Sequence, residues 1–119
     1  MSEIFFTDTI LYPVGSSVEL RLVITIGEGQ AGSSDATLDG ATVDVHDQGN
    51  DQELVVRCPG GMRQRVMTVQ TRVRDVNPAT DRTSVRHQLR GGEALSDRTF
   101  KVSAPTGGRA IYTVAYVLL

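Results

Sequence analysis

The stretch Val18-Glu19-Leu20-Arg21-Leu22-Val23-Ile24-Thr25-Ile26 decides the fold class. Val18, Leu20, Leu22, Ile24 and Ile26 fall at every second position, with Glu19, Arg21, Val23 and Thr25 between them. A period of two puts one set on each side of an extended chain, so this segment reads as a half-buried β-strand. A helix needs apolar residues three and four apart, and that spacing is nearly absent from the 119 residues.

Working outward, an earlier strand spans residues 4–11 and closes at Tyr12-Pro13-Val14-Gly15. The stretch from Gly27 to Gly40, rich in Gly, Ser and Asp, breaks the alternation and reads as a long loop. Residues 42–46 and 52–58 flank Asp47-Gln48-Gly49-Asn50-Asp51 and read as a hairpin. Its register pairs Val45 with Leu54 and Val43 with Val56 inward, and sets His46 beside Glu53 outward. Pro59-Gly60-Gly61 reverses the chain into a strand over 63–76, whose partner runs over 82–90. Centring that second hairpin on Pro78 gives the inward pairs Val73-Thr83, Thr71-Val85, Val69-His87 and Met67-Leu89. Strands over 99–103 and 109–119 close the chain. The last is apolar on both sides, which predicts a central strand covered on both faces.

About eight short strands joined by turns predict an all-β fold: a single antiparallel β-sandwich over residues 1–119, jelly-roll or Ig-like, with a small β-barrel as the alternative. The paired Cys and Trp of immunoglobulin domains are missing, so an Ig likeness is architectural only. The expected core includes Leu20, Leu22, Ile24, Val43, Val45, Val69, Val85, Ile111 and Val117.

Charge divides the chain at Arg57. Up to Val56 there are ten acids and only Arg21, a sum of 1 − 10 = −9; from Arg57 on there are eleven cations and four acids, 11 − 4 = +7, which together give the net of −2. Two arrangements follow from such a split. The halves neutralise each other within one molecule, or they face partners of opposite sign, a second copy included. Cys58 is the one cysteine, so neither an internal disulfide nor a thiolate zinc site is available. No basic-then-apolar leader and no apolar run of about 20 residues is present, and the expected setting is cytoplasmic, with export by a signal-independent route as the alternative and no membrane association.

Four groups of residues are candidates for chemistry. The glycine-rich stretch lacks the Lys-Ser/Thr and the spacing of phosphate-binding loops. Asp44, His46, Asp47, Asp51 and Glu53, with Asn50, gather oxygen ligands and an imidazole near one turn, a ligand or metal candidate that matches no calcium-loop spacing. Nucleophilic catalysis would set Ser33, Ser34 or Cys58 against His46 or His87, but His87 falls on an inward face and Cys58 has no activating partner. The expectation is therefore a non-enzyme with no cofactor. The strongest signal is the basic second hairpin, where Arg72, Arg74, Arg82, Arg86 and Arg90 share an outward face in the expected register and Arg74 sits opposite Arg82. Like charges across a ladder are destabilising, which points to an anionic counterpart.

Nucleic acid fits that role poorly, because aromatics are 5% of the chain with no Trp and none falls in this hairpin. The expected function is a non-catalytic interaction or assembly module, self-associating or docking on an acidic protein surface through complementary faces. The alternative is a lectin-like or small-ligand sandwich using residues 27–40, the acidic turn and the rings of Tyr12, Tyr112 or Tyr116.

Overall fold

Nine strands carry the alternation into space in the computed structural model, which describes residues 2–119. They are β1 (Glu3–Tyr12), β2 (Glu19–Ile26), β3 (Ala31–Leu38), β4 (Ala41–His46), β5 (Asp51–Arg57), β6 (Val66–Arg74), β7 (Arg82–Arg90), β8 (Ser96–Ser103) and β9 (Arg109–Leu118). A five-stranded sheet in the order β1-β9-β6-β3-β4 packs on a four-stranded sheet in the order β5-β2-β7-β8. The fold is a β-sandwich and not a closed barrel. All pairings are antiparallel except β1 with β9, which run parallel. No helix among the described residues is long and apolar enough to cross a membrane.

The inner faces follow the period of two. Leu20, Leu22, Ile24 and Ile26 of β2 are at most 2% exposed, and they meet Met67, Val69 and Val73 of β6 and Tyr112, Val114, Tyr116 and Leu118 of β9. Burying an aliphatic side chain of this size stabilises by about 1.5 to 3 kcal/mol, so this shared layer is what holds the two sheets together.

The chain changes sheet at almost every connection, and here the expected hairpins are corrected. The β6 and β7 strands lie in different sheets, as do β4 and β5. Val73, Thr83, Thr71, Val85, Val69, His87, Met67 and Leu89 all point inward and are buried, but β6 residues face those of β7 across the core instead of pairing beside them. Alternation reports which side of a strand is apolar, and that side is the same whether the next strand lies alongside or opposite. The two hairpins within a sheet are β3–β4 and β7–β8.

The expected loop over 27–40 is corrected too, since most of it is β3, paired with both β4 and β6. Its inward residues are Ser34, Ala36 and Leu38, too small and polar to announce a strand. Gly32 is required there because a Cβ would collide with the Arg72 carbonyl on β6. Asp39 and Gly40 form a two-residue turn, both at positive φ (50° and 88°), as the tightest hairpins demand.

At β4 the facing reverses, and Val43 and Val45 are exposed, not core. A register shift between Ala36 and Thr37 turns the strand, so Asp44 and His46 lie opposite Ala36 and Ser34 on the inner side. Asp44 Oδ2 accepts the Val55 N–H at 2.8 Å. That N–H belongs to β5, an edge strand paired only with β2, and the carboxylate closes an edge that would otherwise lack a partner. His46 is therefore not beside Glu53, which projects outward from the other sheet. Val18 is exposed and Val117 half-buried, whereas Ile111 is buried on the outer side of a β9 that no further layer covers.

Candidate functional site: a basic cleft on the five-stranded sheet

The five arginines of the expected basic face are divided by the sandwich. Arg72 and Arg74 stand on the outer side of the five-stranded sheet, Arg82, Arg86 and Arg90 on the four-stranded one. Arg74 faces no ladder partner in Arg82. It is flanked by Ala31 on β3 and by Arg109 on β9, and Arg109 is the residue that sequence reasoning missed.

Ion pairs dispose of much of the remaining charge. Arg57 Nε bonds Glu19 at 2.9 Å, Arg65 bonds Asp39 at 3.0 Å and Arg72 lies 3.3 Å from Asp35. These three pairs join the basic half of the chain to its acidic half within one molecule. Arg21 bonds Glu53 at 2.9 Å, and Arg86 forms a two-pronged bond with Asp97 at 2.7 and 3.0 Å. The Arg57 guanidinium holds the Glu19 carboxyl below its usual range, and Arg86 does the same to Asp97.

The acidic turn is likewise divided. Asp44 is engaged by the Val45 and Val55 amides, Asp51 accepts the Thr25 hydroxyl and Glu53 pairs with Arg21. Among the described residues no three His, Cys, Asp or Glu side chains are grouped to hold a metal ion. The three tyrosines are buried, which removes them as stacking platforms for a ligand. Tyr12 accepts the Gly92 N–H and donates to Ala94 O, Tyr112 bonds Thr83 and Val102, and Tyr116 bonds His87 Nδ1 at 2.8 Å. Ser34 is bonded to Thr71 in the core, and Cys58 packs against the core at the end of β5.

What the fold does bring together is a cleft of about 390 Å³ at one end of the five-stranded sheet. Arg72, Arg74 and Arg109 rise from its floor on β6 and β9, Ser33 joins them from β3, and Asp47-Gln48-Gly49 after β4 forms the facing wall. Directly opposite residues on paired strands have Cβ atoms about 5 Å apart, so Arg74 and Arg109 start side by side, with Arg72 one pleat along.

The wall is fastened from beneath. Gln52, fully buried on β5, donates its amide to Gly32 O and Gly49 O, both at 2.9 Å, and the His46 ring lies against Gly49. Gln52 Oε1 and His46 Nδ1 are nonetheless buried without a hydrogen-bond partner, and the third such atom among the described residues is His87 Nε2. Two of the three incompletely satisfied polar groups thus underlie the wall of this one cleft. Compared with known protein families, curated proteins and solved structures, the chain matches none, so the site stands on its geometry.

Proposed function

We propose that this chain is a non-catalytic interaction module that docks on an anionic segment of a protein partner through the Arg72, Arg74 and Arg109 cleft. The observation that supports the reading most is that the β6–β9 ladder sets Arg74 directly beside Arg109, with Arg72 one pleat along, so that positive charge is concentrated on one lining of the cleft. The hydroxyl of Ser33 and the polar wall suit an oxyanion better than an apolar ligand. Titration with acidic peptides, glutamate-rich and phosphorylated alike, tests it. Binding should weaken as salt rises from about 0.05 to about 0.5 M and be lost in Arg74→Glu. Binding by no anionic peptide at low salt, or binding indifferent to Arg74→Glu, ends the reading.

Self-association is a second reading, supported by β1. It is a ten-residue edge strand with no proline, and Phe5 and Leu11 on its outer side are 70% and 65% exposed. Edges of this kind invite pairing with another strand. Mass in solution by light scattering should then exceed the monomer, and Phe5→Lys should restore it; a monomer at high concentration removes this reading.

A further inference from the structure

We infer that β1 is a self-recognition edge: two copies of this chain join their five-stranded sheets by antiparallel β1–β1 pairing about a two-fold axis at Asp8, and Asp8 is the brake on that pairing. The inference rests on the self-association reading above and gives it a register. Four strands end the two sheets, and three of those edges are blunted. Asp44 bridges β4 to β5 through the Val55 N–H, and β8 carries Asp97, Arg98 and Lys101 within eight residues. The fourth edge is β1, the longest of them, with ten residues and no Lys, Arg or Pro.

Its backbone groups divide by parity. Ser2 O and Tyr12 O accept the Arg109 and Leu119 amides, so the even residues of β1 bond β9. Glu3, Phe5, Thr7, Thr9 and Leu11 therefore turn their N–H and C=O groups to the open side. The sequence of this edge is symmetric in kind about Asp8: Thr7 and Thr9 flank it, then Phe6 and Ile10, then Phe5 and Leu11. A two-fold axis there sets each residue against its counterpart in the second copy. Thr7 meets Thr9 and Phe5 meets Leu11 as hydrogen-bonded pairs. Phe5 and Leu11, 70% and 65% exposed, cover each other twice across the axis. Phe6, with its ring 5.4 Å from Phe100 and 5.5 Å from Tyr112, lies opposite the second copy's Ile10 and carries the core across the join. An unrelated strand has no cause to match this symmetry, and so the occupant is a second copy.

Asp8 limits the pairing in two ways. It faces itself across the axis as a non-hydrogen-bonded pair, with Cα atoms about 4.5 Å apart, and like charges so placed repel. Its Oδ1 also accepts the Thr9 N–H at 2.8 Å, a donor that the new ladder would use.

The experiment measures the dimer dissociation constant of the full chain by sedimentation, with circular dichroism confirming that each variant keeps its β structure. Asp8→Asn should tighten the dimer a few-fold. Raising salt from about 0.05 to about 0.5 M should tighten the parent dimer and leave Asp8→Asn unmoved, because screening relieves the repulsion at the axis; docking in the basic cleft has the opposite salt dependence. In a Cys58→Ser background, Asp8→Cys should form an intermolecular disulfide under mild oxidation, and Thr7→Cys, two residues out of register with itself, should not. A parent that stays monomeric at high concentration overturns this inference and the self-association reading together. A dimer that Asp8→Cys fails to link, or that Asp8→Asn weakens, overturns the axis at Asp8 and leaves self-association standing. A dimer indifferent to Phe5→Lys overturns β1 as the edge.

Discussion

Two buried glutamines fasten two neighbouring connections at one end of this sandwich, and they do so unequally. Gln30, 1% exposed, ties the connection between β6 and β7. Its Nε2 lies within 3.1 Å of Asp75 Oδ1, Thr80 O and Arg82 O, and its Oε1 accepts the Val76 and Asn77 amides at 2.7 and 2.9 Å. Both ends of the side chain are satisfied. Gln52 ties the turn between β4 and β5 with its amide nitrogen only, and its Oε1 has no partner. A fully bonded polar group inside a protein rigidifies what it holds, and a half-bonded one leaves a desolvated atom unpaid for. The first connection is scaffold; the second is the wall of the cleft.

Breaking the stronger fastening should have the largest effect. Gln30→Leu leaves two amides and a run of carbonyls at the connection without their partner, so it should lower stability by about 3 kcal/mol or more in denaturant unfolding. A loss under about 1 kcal/mol would mean that the Gly107 N–H, which holds the Asp75 carboxyl below its ordinary range, secures the connection without Gln30.

A third buried polar side chain sharpens the contrast, because His87 is also bonded at one end only. Burial lowers its pKa to about 4, against about 6.5 in an unfolded chain. The unfolded state takes up the proton first, so the stability contributed by neutral His87 is complete above about pH 6.5 and is lost as pH falls toward 4. The loss over that interval should be about 3 kcal/mol, measured by denaturant midpoints at successive pH values. His87→Phe should flatten this part of the profile; an unchanged slope would assign the acid sensitivity to other groups.

Gln52→Leu is expected to matter less, at about 1 kcal/mol, since the substitution removes an unpartnered oxygen along with two bonds. Its signature should be local: faster hydrogen exchange at Gly49 and Gln48 with the strand amides unaltered. Uniformly faster exchange would place Gln52 in the scaffold with Gln30. Smallest of all should be Arg86→Ala, which breaks the exposed pair with Asp97 and should leave the melting temperature nearly unchanged, because solvent and salt already screen that pair.

The sandwich was legible because alternation is a local property. Every residue named above as inward on β6 and β7 is buried, and the β2 pattern needed no neighbour to be read. The wrong expectations arose where local pattern and pairing part company. Val43 and Val45 sit on an edge strand, where one bulge exchanges the two faces and the outward side chains remain half in water at small loss. The 27–40 stretch lacked bulky inward residues, although Asp39-Gly40 was a hairpin signal inside it. Arg72 and Arg74 were visible as candidates, but Arg109, thirty-five residues after Arg74, joins them only through the β6–β9 ladder.

By itself the sequence determined that this chain forms two-faced strands around an apolar layer, since a period of two fixes which side chains leave water together wherever the strand is placed. Only the tertiary structure decided which strands pair. Strands that share one core can satisfy their backbone groups with any neighbour of suitable length and edge, and that choice is made by turns, bulges and buried amides acting across the molecule. It is this choice that separates Arg74 from Arg82, sets it beside Arg109, and gives the basic half of the chain a cleft in place of a continuous charged face.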